Sequence, residues 1–306
     1  MLPMMSHIGS TDILKSRGYL FEPKLDGTRA LCHVSSSGIK FINRKGRDIT
    51  STYPELKIKS RINSSCILDG EIVMYNEEGN PDFQLMLKRE NSSRVSEVSK
   101  EYPGTYVVFD ILSFKGKPLT QLPLEERKNI LEKTVRSSKK IEIMPFFEQG
   151  EKLWKHVKKR NLEGVVAKRK GSIYMTGDRS RDWLKIKNLK TCDCVIVGYT
   201  SDKRALSALA LGVYNDGKLI FIGHVGTGFS EAVTSSLLSQ LEKIRTVKNY
   251  SGTPAKVQNV LPQVVCEVRY LEFSRDGMLR APSFLRLRTD KAPQDCIFDQ
   301  LKQSDS

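Results

Sequence analysis

No stretch of about 18 consecutive apolar residues occurs in the 306-residue chain, so the sequence predicts no membrane-spanning helix of ordinary length. The N-terminus shows neither a basic leader nor a cleavable apolar segment, and a cytosolic, non-exported chain is expected on that account. Low-complexity tracts are also missing, which leaves domain boundaries to be read from the pattern of elements. The six cysteines (Cys32, Cys66, Cys192, Cys194, Cys266 and Cys296) lack the paired spacing of a zinc site or a secreted disulfide framework. Cys192 and Cys194 would share one face of a strand, but without a second pair they read as core thiols in a reducing compartment. Acidic residues are outnumbered: 35 Asp plus Glu stand against 50 Lys plus Arg, a net charge of +15. A polyanion such as nucleic acid is therefore an expected partner, bound through phosphates and weakened by salt.

At about 150 residues per domain the length predicts two domains. In the first part, strands are expected at Tyr19–Glu22, Ala30–Val34, Ile67–Tyr75, Thr105–Leu112, Gly164–Arg169 and Trp183–Lys187. Leu124, Arg127, Ile130, Leu131 and Val135 follow a helical period behind Pro123, and Leu153–Lys159 reads as a second helix. This mixture without strict alternation predicts an α+β domain. Beyond about Leu189 the pattern turns to strands at Cys192–Thr200, Leu209–Tyr214, Lys218–Val225, Val264–Phe273 and Leu279–Leu287. A hairpin turn at Asn215-Asp216-Gly217 and a helix from Ser230 to about Arg245 accompany them. A small β-barrel carrying one helix fits that count, and the boundary is placed to give domains 1–190 and 191–306.

The segment Glu22-Pro23-Lys24-Leu25-Asp26-Gly27-Thr28-Arg29 puts a lysine between an apolar strand and a glycine turn. A lysine attacks only when neutral, so its ordinary pKa of about 10.4 must be lowered by burial or nearby cations. Lys185 and Lys187 alternate with Leu184 and Ile186 and so share a strand face with Trp183. At about 7 Å apart, two such ammonium groups can grip one phosphate. Asp69 and Glu71 share another strand face, and Glu163 immediately precedes Gly164. Glu71 and Glu163 are the candidate carboxylates for a divalent cation such as Mg²⁺ or Mn²⁺ acting on a phosphoryl group. Each feature alone is ordinary: a Lys-x-Asp-Gly is most often a solvated turn, and alternating lysines most often guard a sheet edge.

Their order along the chain resembles that of the covalent nucleotidyltransferases, the superfamily of DNA ligases, RNA ligases and capping enzymes. Lys24-Leu25-Asp26-Gly27-Thr28-Arg29 resembles the first motif, Asn43-Arg44-Lys45-Gly46 the next, and Leu68-Asp69-Gly70-Glu71 the third. Val107-Val108-Phe109-Asp110 resembles the nucleoside-packing segment, and Glu163-Gly164-Val165-Val166 the fourth motif. Trp183-Leu184-Lys185-Ile186-Lys187 and Arg286-Leu287-Arg288-Thr289-Asp290-Lys291 resemble the fifth and sixth. Leu211–Lys218, Gly223–Phe229 and Cys266–Phe273 look most like the ligase module of the bacterial and archaeal end-joining enzyme, ligase D.

The resemblance implies an adenylation domain followed by an oligonucleotide-binding-type (OB-fold) barrel, and an ATP-dependent DNA ligase working through lysyl-AMP on Lys24 and AMP-DNA. It implies that Glu22 accepts from the adenine amino group, that Arg29 belongs to the nucleotide site, and that Phe109 packs on the nucleoside. Arg44 would contact the nick phosphate, Lys185 and Lys187 the nucleotide phosphate, and Arg288 and Lys291 the departing pyrophosphate. The alternative within the superfamily is an RNA ligase or capping guanylyltransferase, against which Glu22 and the Trp-Leu-Lys-Ile-Lys segment argue. With about 18 residues ahead of the first expected strand, a compact two-domain monomer is expected, without an extra N-terminal DNA-binding domain or polymerase and nuclease modules. Nicked or broken duplex DNA would be the substrate, and a Ku-like end-binding protein the expected partner.

Overall fold

The computed structural model describes residues 1–201, 205–274 and 276–303. It divides into two units, Met1–Asn188 and Leu189–Ser306.

The strands of the first unit are β1 (Met5–Ile8), β2 (Tyr19–Pro23), β3 (Thr28–Ser35), β4 (Gly38–Asn43), β5 (Cys66–Val73), β6 (Thr105–Phe114), β7 (Lys117–Pro118), β8 (Ile141–Ile143), β9 (Gly164–Arg169) and β10 (Arg179–Lys187). Its helices are α1 (Phe83–Glu90), α2 (Val95–Glu101), α3 (Leu124–Thr134) and α4 (Gly150–Lys159). One sheet runs β1-β10-β9-β2, with β1 parallel to β10 and the other pairs antiparallel. The other runs β4-β3-β5-β6-β7, with β8 lying parallel on β6.

Apolar side chains sort by sheet face. Cys32, Leu68, Tyr106, Val108 and Ile111 face a core shared with Leu131 of α3 and Met86 of α1. Leu31, Val73, Val107, Phe109 and Leu112 instead pack with Met4, Tyr174 and Trp183, joining residues of both sheets. Ile186, Val165 and Phe21 pack with Leu153 and Val157 of α4. Strand β6 is covered on both faces, which is why its first eight residues are all buried.

Strand β1 corrects the expectation that the first strand begins near residue 19. Its partner is distant in sequence, Met5 pairing with Arg179, and no local alternation marks it. Sequence reading also passed over β4, α1 and α2, although Asp82 caps α1 by accepting from the amides of Gln84 and Leu85.

In the second unit, β11 (Lys190–Thr200), β12 (Ala208–Asn215), β13 (Lys218–Val225), β14 (Gln258–Asn259), β15 (Val265–Tyr270) and β16 (Ser283–Leu287) form a sheet ordered β13-β12-β11-β15-β16, with β14 on β11. Helix α5 (Glu231–Lys243) opens on Ser230, whose hydroxyl accepts from the Val233 amide. The last strand starts at Ser283 instead of Leu279, because Ala281 adopts a left-handed φ of 49° and Pro282 has no amide hydrogen to give. Cys192 and Cys194 do share a face, their sulfurs 3.6 Å apart in the core. Among the described residues, no helix is long and apolar enough to cross a membrane.

Candidate active site

A cavity of about 180 Å³, partly open to solvent, is formed between the two sheets of the first unit. Its lining includes Glu22, Lys24, Arg29, Arg44, Glu71, Phe109, Lys168, Trp183 and Lys185. Seven of the residues singled out from sequence therefore meet in one place. Glu163 reaches it through Lys24, whose Nζ lies 2.6 Å from Glu163 Oε2. Lys187 is not a lining residue, but it acts electrostatically on both Glu163 and Lys185. Arg288 and Lys291 belong to the second unit.

The nucleophile candidate is fixed by backbone. Lys24 follows β2 directly, and its amide donates to the Gly164 carbonyl at 2.9 Å, tying the lysine to the start of β9 beside Glu163. Gly164 has a φ of 151°, and a Cβ there would stand 2.1 Å from the Ile186 carbonyl oxygen. Gly27 is needed for close approach instead: its Cβ would come within 2.3 Å of the Ile72 carbonyl oxygen. Gly27→Ala is expected to lower stability by about 1–3 kcal/mol, seen as an earlier thermal melt, because the Lys24 turn must move off β5.

Around Lys24 the charges alternate. Arg29 on β3 grips Asp69 with Nε–Oδ1 at 3.1 Å and Nη2–Oδ2 at 2.7 Å, and Asp69 also accepts from Tyr174 Oη at 2.6 Å. The Arg29 guanidinium lies 5.2 Å from the Phe109 ring centre and 5.7 Å from that of Trp183. Burial pushes the Glu71 carboxyl up to about 8, Lys24 and Arg29 pulling against it while Glu163 and Asp69 add repulsion. Burial likewise raises Glu163, opposed by Lys24, and lowers Lys185, helped by Arg179, Lys187 and Lys24.

A sign follows for Glu71. A carboxyl raised in the folded state contributes stability that is present below its ordinary value and lost as pH rises through about 8. In the presence of a chelator, wild-type protein is expected to lose melting temperature relative to Glu71→Gln between about pH 4.5 and 8. Parallel melting curves for the two would contradict the burial argument.

Two half-buried carboxylates that repel each other beside Lys24 offer hard oxygen donors suited to Mg²⁺ or Mn²⁺. Among the described residues, no group of three or more His, Cys, Asp or Glu is arranged to hold a metal ion. A divalent ion at Glu71 and Glu163 would therefore complete its shell with substrate oxygens and water.

Also on the cavity wall, Phe109 owes its position to an irregularity in β6. Asp69 pairs with Asp110 and Gly70 with Val108, so Phe109 is the extra residue of a β-bulge. Below it lie Lys168 and Glu22, both buried, with Lys168 Nζ 2.7 Å from Glu22 Oε2. The same ammonium sits 4.2 Å from the Phe109 ring centre and 4.0 Å from that of Trp183. Burial lowers Lys168 to about 8 against the pull of Glu22. Glu22 Oε1 accepts from Lys128 of α3, a residue the sequence reading did not name. Lys128 stands four residues after Leu124, on the face of the helix that the structure buries.

In the second unit Arg288 and Lys291 are held side by side. Arg288 Nη1 lies 2.8 Å from Asp193 Oδ1 and Lys291 Nζ 2.7 Å from Asp193 Oδ2, while Asp290 takes the other edge of the guanidinium.

Comparison with known proteins bears on what this arrangement serves. A solved structure titled mycobacterial DNA ligase D complexed with ATP and MES covers 97% of this chain and 98% of its own, at 29% identity and a TM-score of 0.57. The fold is thus an adenylation domain followed by an OB-fold domain. Residues 3–187 match the ATP dependent DNA ligase domain and residues 202–291 the ATP dependent DNA ligase C terminal region. The chain belongs to the ATP-dependent DNA ligases. The multifunctional non-homologous end joining protein LigD of Mycolicibacterium smegmatis is 33% identical over 97% of this chain and 39% of its own length. The DNA ligase of Thermococcus onnurineus is 30% identical over 90% of this chain and 52% of its own. The chain spans about two fifths to half the length of these curated relatives.

Proposed function

We propose that this chain seals 5′-phosphate/3′-hydroxyl breaks in duplex DNA in three steps. The Lys24 amine attacks the α-phosphorus of ATP, forming a P–N bond and breaking the bond to pyrophosphate. An oxygen of the 5′-phosphate then takes the AMP, releasing Lys24, and the 3′-hydroxyl finally displaces AMP as the phosphodiester forms. The observation that supports this most is the placing of Lys24, paired with Glu163, on the wall of one cavity together with the Glu22 carboxylate, the Phe109 ring, Lys185 and Glu71.

In this reading Glu22 accepts from the adenine amino group, Phe109 carries the nucleoside, and Arg29 holds the wall between Asp69 and the two rings. Lys185, with Lys187 behind it, neutralises the α-phosphate, and Arg44 meets the DNA 5′-phosphate. A divalent metal held by Glu71 and Glu163 would supply charge neutralisation at the phosphoryl oxygens. Arg288 and Lys291 engage the pyrophosphate. The working domains are residues 1–190 for adenylation and 191–306 for the OB-fold.

The biological setting we infer is repair of double-strand ends, since relatives similar over nearly all of this chain are named for non-homologous end joining. A Ku-like end-binding partner, a monomeric state and a place in a prokaryotic cytosol or nucleoid go with that setting.

The test is sealing of a nicked duplex. Wild-type protein with ATP should join ends only where a 5′-phosphate is present. Lys24→Ala should fail with ATP yet still join a nick whose 5′-phosphate already carries AMP. Loss of both reactions in a folded Lys24→Ala protein would contradict the proposed division of labour.

A further inference from the structure

We propose that Lys128 of α3 is a positioning residue for base selection, setting the preference for a 6-aminopurine nucleotide without touching it. The inference rests on the reading that Glu22 accepts from the base. Lys128 does not line the cavity, and its side chain is 4% exposed. Its ammonium donates to two groups that do belong to the wall, Glu22 Oε1 and, at 3.2 Å, the backbone carbonyl of Phe109. One cation therefore ties the polar base-reading group to the bulged strand that presents the flat ring.

The chemistry follows from hydrogen-bond capacity. A carboxylate bracketed by Lys128 and Lys168 is an acceptor only, and each oxygen keeps a lone pair for a further donor. An exocyclic amine satisfies that need. A purine bearing hydrogen at C6 leaves the acceptor unmatched in a buried wall, and a 6-oxo group sets acceptor against acceptor. Without Lys128, Glu22 keeps Lys168 as its ion pair, the tie to the Phe109 carbonyl is gone, and the carboxylate is free to turn toward Lys168. Both changes weaken discrimination more than they weaken phosphate chemistry at Lys24, because Lys128 touches none of the groups around the nucleophile.

The experiment measures kcat/KM for transfer of nucleotide onto the protein with ATP and with purine riboside triphosphate, which lacks the 6-amino group. The preference ratio should fall at least about tenfold in Lys128→Met, the change residing in KM for ATP, and Lys128→Arg should restore most of it. A ratio within twofold of wild type in Lys128→Met overturns the proposal. If Lys128→Met does not fold, as judged by its melt, Lys128→Gln carries the same expectation and the same overturning result. A wild-type protein that takes label from both nucleotides equally would overturn the reading of Glu22 and this inference with it. Preference lost in Glu22→Ala but kept in Lys128→Met would overturn the role of Lys128 alone.

Discussion

Glu163→Gln is expected to slow transfer of AMP from ATP to the protein by about 10²- to 10³-fold, with little change in melting temperature. The carboxylate contacts Lys24 at 2.6 Å from the residue immediately before β9, one position ahead of the glycine whose carbonyl holds the Lys24 amide. Backbone thus fixes the lysine's main chain, while Glu163 fixes the direction of its ammonium. An amide in its place still accepts a hydrogen bond, so the fold persists. It removes the negative charge that orients Lys24, and one of the two carboxylates proposed for the metal. Rates of label uptake from α-labelled ATP, measured across pH beside a thermal melt, check this. A variant within about fivefold of wild type would remove Glu163 from the account.

Arg127→Met should have the largest effect on stability, about 3–5 kcal/mol. Arg127 and Asp110 are both fully buried and joined by two parallel bonds, Nε–Oδ1 at 2.8 Å and Nη2–Oδ2 at 2.9 Å. The remaining guanidinium nitrogen donates to the carbonyls of Leu122 and Ser172. Methionine fills the volume but leaves the Asp110 carboxylate, which still accepts from the Ile111 amide, without its counter-charge, and two carbonyls without that donor. For a unit of this size the melting temperature should drop by roughly 10 °C. Adding Asp110→Asn should recover part of the loss, since the stranded charge is then gone. Because Asp110 follows Phe109 on the bulge, the single variant should also raise KM for ATP. A melt unchanged within about 2 °C would show the pair to be dispensable.

The gathering of the candidate site residues was legible wherever it depended on residue type and order. Lys24, Glu71, Phe109 and Lys185 were marked by their segments, and Gly164–Arg169 and Lys218–Val225 were read with the bounds the structure gives. Alternation and turn residues suffice for such strands. What the sequence did not disclose depends on contacts between distant segments. Strand β1 exists because β10, more than 170 residues on, offers it an edge. The bulge that turns Phe109 into the cavity is a mismatch of register between β5 and β6, and register is a property of the pair, invisible in either strand. Lys128 and Asp193 were missed for a related reason. A charged residue on a helix or strand reads as solvent-facing until its buried partner is known, and those partners, Glu22 and Arg288 with Lys291, are about 100 residues away.

The measurement that bears most directly on the central claim is label transfer with protein first cleared of bound AMP. The protein is incubated with a divalent metal and α-labelled ATP or GTP, denatured, resolved, and digested to locate the label. Label from ATP that survives denaturation, maps to Lys24, is not matched by GTP and is absent from Lys24→Ala is the expected result. Label from GTP alone, label persisting in Lys24→Ala, or none from ATP would contradict a lysyl-AMP on Lys24.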